Sequence, residues 1–257
     1  MTQTQIPIAT VQKLRQCAQE CLLRPCDVPP GWSIMPMDLD GVLDVFPSLR
    51  LKLGYTLVGY LFNRGDGGHG AVYAVPTGTT LLDPMDWTEE QIEAAWGDLH
   101  YRPPPPTVAL PDVMEAIEGD HSSMSYFEAS LLRRELHECG AFWHALRWAT
   151  EEILGCDPFA DPIRREEMVV EGERRERMLR RYPPGHTPDW QWSEPKPTAW
   201  GPTVQESTSG QVQVTFYTHS TLGQHRITQH RDTYCDGTYR HEGECVVIGR
   251  GPMGRIF

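Results

Sequence analysis

The chain has 257 residues with a net charge of −12, 39% hydrophobic content, 22 prolines and 23 glycines. That length carries a sizeable core with much irregular chain, and with no apolar run of about 18 residues it excludes a helical membrane span. Residues 1–160 hold 10 cations against 22 anions while residues 161–257 balance at 13 each, which argues against a phosphate-binding surface and against nucleic acid as a partner.

The N-terminal MTQTQIPIATVQKL has neither a basic stretch nor an apolar one of the kind a secretory signal needs. Seven cysteines, an odd and uneven set, fit a reduced cytoplasmic compartment better than a disulfide framework. Only three of the 23 cations are lysines, a bias of bacterial, GC-rich coding. The first predicted helix runs from Thr10 to Leu23, with Val11, Leu14, Ala18, Cys21 and Leu22 on one side. Cys17, Cys21 and Cys26 lack a second cysteine pair, so they read as helical thiols rather than zinc ligands.

Next comes Asp38-Leu39-Asp40-Gly41-Val42-Leu43. It resembles the first motif of the haloacid dehalogenase-like phosphatases, DxDGxL. The resemblance implies a doubly wound α/β domain in which Asp38 is the nucleophile and Asp40 the general acid, with Mg²⁺ between them and the phosphate. Read on its own, the segment is a polar turn. Tyr55 to Phe62 and Ala71 to Val75 then form a hairpin, closed by a glycine-rich turn from Asn63 to Gly70. Asn63, Asp66 and His69 give that turn polar ends suited to a ligand or partner.

A short helix over 88–99 follows, capped by Thr88 or Asp86, then the extended RPPPP run and a brief helix from Pro111 to Glu118. The strongest periodicity predicts a central helix from Ser125 to Leu154: Leu132, Leu136, Cys139, Trp143, Leu146, Thr150 and Ile153 alternate four and three apart. His137, His144 and Glu151 share its polar edge at intervals of seven. At about 10 Å per two turns they are too far apart for one metal ion, so the edge reads as a contact surface.

Asp161 to Tyr182 reads as a charged helix with favourable i,i+4 pairs. Pro183 to Gly210 is an arm rich in proline and tryptophan, and Trp190, Trp192 and Trp200 are expected to dock because exposed indoles forgo burial. The last fifty residues alternate as strands, with His219 and His225 opposed across the first hairpin and His230 and His241 further on. Those four histidines are the weak metal candidates.

The expected fold class is α+β: a β-hairpin or sheet packed on the long central helix, with a C-terminal antiparallel sheet reached through the Pro/Trp-rich arm. The expected division is an acidic part over 1–160 and a second part over 161–257. No catalytic set is complete, so the leading reading is a cytoplasmic accessory or interaction protein with no cofactor, whose partner is another protein or a second copy. Trp190 and Trp192 join the contact residues on that reading. The alternative is a metal-dependent hydrolase, phosphatase-like through Asp38 and Asp40 or zinc-dependent through the C-terminal histidines.

Overall fold

The computed structural model of the protein describes residues 2–22, 29–65, 67–96, 103–143, 146–160 and 190–253. The chain opens with β1 (Thr2–Gln5) and α1 (Ile8–Cys21), the helix starting where the Pro7 carbonyl accepts from the Thr10 and Val11 N–H groups. β2 (Gly31–Ile34), β3 (Leu49–Leu51), β4 (Tyr55–Asn63) and β5 (Gly67–Pro76) follow. α2 (Glu89–Trp96) begins at a reciprocal cap, in which Thr88 Oγ1 accepts from Gln91 N–H and Gln91 Oε1 accepts from Thr88 N–H. Then come β6 (Ile117–Gly119), α3 (Ser123–His137), β7 (Phe142–Trp143) and β8 (Glu151–Ile153). β9 (Gln191–Trp192), β10 (Thr203–Glu206), β11 (Val212–Ser220), β12 (Gln224–Tyr234) and β13 (His241–Met253) complete the described chain.

Thirteen strands against three α-helices among the described residues overturn the expected fold class. The protein is mostly β, built on a large curled antiparallel sheet, and is not a sheet packed on a long central helix. The helix expected over 125–154 stops at His137. Its N-cap is Ser122, which accepts from Ser125 N–H. At its end Gly140 takes φ +74°, where any Cβ would meet Leu61 Cδ1 at 2.4 Å, so only glycine allows this departure. The Glu138 carboxylate then accepts backbone N–H groups from Arg147, Trp148 and Ala149. Before that turn Phe142–Trp143 pairs with Gly67–Gly68, and after it Glu151–Ile153 pairs with Thr218–Ser220. Sheet pairing thus outweighed a helical period. The brief helix over Pro111–Glu118 is a 3-10 turn, Val113–Ala116, leading into β6. The helix expected over 161–182 lies outside the described residues.

Contacts cluster into two units that interleave in sequence: residues 1–12, 150–233 and 242–257 form the first, and residues 13–149 and 234–241 the second. The first unit holds a seven-stranded sheet in the order β1-β10-β11-β12-β13-β9, with β8 added beside β11. One apolar cluster in this unit joins Leu154, Trp200, Ile227 and Ile248, with Phe159, Trp190 and Trp192 against it. The tryptophans of the arm are therefore docked within their own unit. In the second unit, β2-β4-β5-β7 form one sheet and β3-β6 a small second one. Its core includes Phe46, Leu61, Phe127 and Leu131, all 3% exposed or less. No described helix is long and apolar enough to cross a membrane.

Candidate active site

Four strands of the first unit bring polar side chains together around one imidazole. β11 alternates, so Phe216 and Thr218 share a face that Tyr217 and His219 do not. On β12 the same alternation separates His230 from His225. β8 lies antiparallel to β11 with Ile153 opposite Thr218 and Glu151 opposite Ser220, which sets the Glu151 carboxylate beside Thr218. β13 supplies Cys245, an exposed thiol.

The bonds among these groups run in one direction. Thr218 Oγ1 donates to Glu151 Oε2 at 2.7 Å, and Arg226 donates to Glu151 Oε1 at 3.0 Å. Thr218 Oγ1 lies 2.9 Å from His230 Nε2, and His230 Nδ1 lies 3.2 Å from Cys245 Sγ. A threonine hydroxyl has one proton, and here the carboxylate takes it. In the neutral ring Nε2 then carries the hydrogen that Thr218 accepts, which leaves the Nδ1 lone pair facing the thiol. His230 Nε2 is also 3.7 Å from Glu151 Oε2, so a positive charge on the ring is opposed by a carboxylate. The Phe216 ring stacks on the imidazole at 4.7 Å and 10°, fixing its plane.

Glu151 stays ionised throughout the physiological range. Burial pushes its pKa up, but the neighbouring His230, the Thr218 hydroxyl and the Arg226 guanidinium, together with the charge His230 carries when protonated, outweigh that and hold it at about 2, against 4.5 for an ordinary glutamate. The contrast is Cys139 in the second unit, where burial alone pushes the thiol up to about 12. Such a thiol is inert. Cys245 combines exposure with an adjacent base, the arrangement of an activated nucleophile.

The residues expected from the sequence are placed elsewhere, with one exception. Asp38 Oδ1 accepts from Gly41 N–H at 3.2 Å, closing the 3-10 turn Asp40–Val45. Asp40 accepts from Thr56 Oγ1 and Leu57 N–H, both at 2.7 Å, which ties that turn to β4. The strand beside it pairs antiparallel with both neighbours, where the resemblance implied a parallel sheet. Asn63 Oδ1 accepts from Gly65 N–H within the hairpin turn, and the His69 ring sits 5.5 Å from both Trp32 and Phe62. His137 is exposed in the last turn of α3; Asp66 and His144 lie outside the described residues.

The four C-terminal histidines separate into three environments. His219 Nε2 and His225 Nδ1 are 3.3 Å apart next to Trp190, and burial lowers the His225 pKa. His241 lies against Tyr234 in the second unit. Among the described residues, no three His, Cys, Asp or Glu side chains are grouped to hold a metal ion. His230 is the exception: the sequence singled it out as a metal candidate, and the structure makes it the centre of the cluster. Cys245 and Thr218 were not found from the sequence, since they read there as strand residues, and Glu151 was singled out only on the polar edge of the expected central helix, as part of a contact surface. No family model matches the chain, and no curated protein or solved structure matches it.

Proposed function

We propose that this protein is a thiol-dependent acyl-transfer enzyme of the hydrolase type, with Cys245 as nucleophile and His230 as general base and acid. Glu151 and Thr218 are positioning residues that hold the imidazole tautomer. The observation that carries this reading is the 3.2 Å approach of Cys245 Sγ to His230 Nδ1, with Nε2 tied through Thr218 to an ionised carboxylate. The accessory-protein reading rested on the lack of a complete catalytic set, and the Cys245–His230–Thr218–Glu151 cluster supports the enzyme reading over it. The phosphatase reading loses ground because Asp40 is engaged by Thr56 and Leu57.

The chemistry runs in two steps. His230 Nδ1 takes the thiol proton and the sulfur attacks an acyl carbon, forming a C–S bond. The leaving group departs with the proton from Nδ1. Water then gives a proton to Nδ1 and its hydroxyl to the acyl carbon, the C–S bond breaks, and the proton returns to sulfur. Glu151 offsets the ring charge at each stage without itself being protonated.

The test is the pH dependence of alkylation by iodoacetamide, read at each cysteine by peptide mass mapping. Cys156 and Cys235 are exposed and serve as internal references. Cys245 is expected to react at lower pH than these references, and His230→Ala to return it to them. Thr218→Val is expected to move it part of the way while leaving the thiol accessible. With an aryl ester, a stoichiometric burst of phenol and an acyl adduct on Cys245 are expected. A Cys245 that titrates with the references, or an adduct that never forms, overturns the reading.

A further inference from the structure

A second site lies in the first unit and does not depend on the thiol chemistry. Trp190 and Trp192 stand two residues apart at the start of the arm, their rings stacked 6.0 Å apart at 29°. Phe159 meets Trp190 at 5.2 Å and 83° and Trp192 at 5.8 Å and 68°, so a third wall stands edge-on to the other two. The tryptophan rings rest directly on strand backbone. A Cβ at Gly249 would meet the Trp192 ring at 3.0 Å, and one at Gly251 would meet the Trp190 ring at 2.6 Å. The walls are thus set by the sheet.

The Phe159 and Trp192 faces of the cluster already hold a cation. Lys196 Nζ lies 4.4 Å from the centroid of Phe159 and 5.0 Å from that of Trp192, inside the range of cation–π attraction. Lys196 sits between Pro195 and Pro197, on an exposed stretch that follows Ser193. Ser193 anchors the arm by donating from N–H to the Ile248 carbonyl and from Oγ to the Val247 carbonyl, and Trp200 anchors it again in the core. Lys196 can therefore leave the rings while both anchors stay in place.

We propose that Phe159, Trp190 and Trp192 form a binding site for an alkylated ammonium group, with Lys196 as its internal occupant. Ring faces attract positive charge but accept hydrogen bonds only weakly. A primary ammonium has three N–H groups and keeps water on them at some cost to ring contact. A methylated ammonium has fewer or none, and it buries methyl surface against the same walls. An external ligand of this class competes with Lys196 and releases the exposed stretch.

The experiment titrates tryptophan fluorescence with tetramethylammonium chloride, with sodium chloride as the ionic-strength control. An internal occupant lowers apparent affinity by the fraction of time it fills the site. If Lys196 fills it nine-tenths of the time, Lys196→Ala binds about tenfold more tightly than wild type. Trp192→Ala abolishes the response, with a near-native circular dichroism spectrum required of every variant. A second measurement uses the wild type alone: tetramethylammonium raises acylation of Lys196 by a succinimidyl ester relative to Lys13 and Lys52. Equal affinity in wild type and Lys196→Ala, a response that survives in Trp192→Ala, or unchanged Lys196 labelling overturns the proposal. Should Trp192→Ala misfold, the comparison of wild type with Lys196→Ala and the labelling decide it.

Discussion

Glu151 joins the site to stability through its ionisation. Its pKa is about 2 in the folded chain, against 4.5 as the ordinary value. A folded-state pKa that is depressed contributes stability above the unfolded value, and that contribution is lost as pH falls toward the folded one. The window is therefore about pH 4.5 down to about 2. The difference between the two values amounts to roughly 3 kcal/mol. In urea unfolding, the gap between wild type and Glu151→Gln is expected to shrink as pH falls from 5 to 3. A gap that stays constant down to pH 3 counts against an ionised, buried Glu151. The residues of this site were only partly legible. Alternation in β11 and β12 placed Thr218 and His230 on strands, but the contact of His230 with Glu151 spans pairing between β8 and β11, which no local period encodes. Cys245 gave no local signal at all, because a thiol beside valines reads as an apolar strand residue.

α3 shows the same tension between burial and charge over a whole element. Glu128 and Glu135 are 1% and 3% exposed, and burial raises the pKa of both. Their surroundings differ. Glu128 accepts from Ser48 N–H at 2.9 Å, a bond that a glutamine oxygen keeps. Glu135 accepts from Trp148 Nε1 at 2.8 Å and lies 3.5 Å from Arg15, whose guanidinium stacks over the Trp148 ring at 4.2 Å. Glu128→Gln is expected to be as stable as wild type or about 1 kcal/mol more stable at pH 8, since it removes a buried charge without orphaning a donor. A raised carboxyl pKa costs stability above that pKa, and the cost fades as pH falls through 4.5, so the advantage should be nearly gone by pH 4. Glu135→Gln leaves Arg15 without its counter-charge and is expected to cost about 3–5 kcal/mol. Urea midpoints at pH 8 and pH 4 measure both, and equal effects of the two substitutions would contradict this account. At this scale much was legible: the hairpin of β4 and β5 came within two residues at most ends because its strands alternate and its turn is rich in glycine. α3 was over-extended because a helical stripe continued through Cys139 and Leu146 into Ile153. Nothing in that stripe reveals that Gly140 adopts φ +74° or that Glu138 caps the next turn.

The whole molecule is threaded so that neither unit is one continuous stretch of chain. Residues 234–241 belong to the second unit, while the strands on either side belong to the first. The turn at Asp236 and Gly237 has positive φ at both residues, as a tight hairpin requires, and the Asp-Gly pair made it readable. What the sequence did not reveal is where that tip goes. Tyr239 Oη accepts from His121 N–H at 2.9 Å and bonds Ser125 Oγ at 2.8 Å. Tyr234 Oη donates to the Tyr126 carbonyl at 2.9 Å and bonds Ser130 Oγ at 2.7 Å. The two tyrosines thus fasten the hairpin tip to the start of α3. Tyr239→Phe leaves a partly buried His121 N–H without its acceptor and is expected to cost about 1–3 kcal/mol. Because β12 and β13 run unbroken from the tip into the large sheet, loss of the tip shortens two central strands of that sheet. Unfolding of the variant is therefore expected to give coincident urea transitions by two probes, protection of Cys139 in the second unit and hydrogen-exchange protection of the β11 amides in the first. Two separated midpoints, with Cys139 exposed first and the β11 amides unchanged, would mean that the tip stabilises its own unit alone.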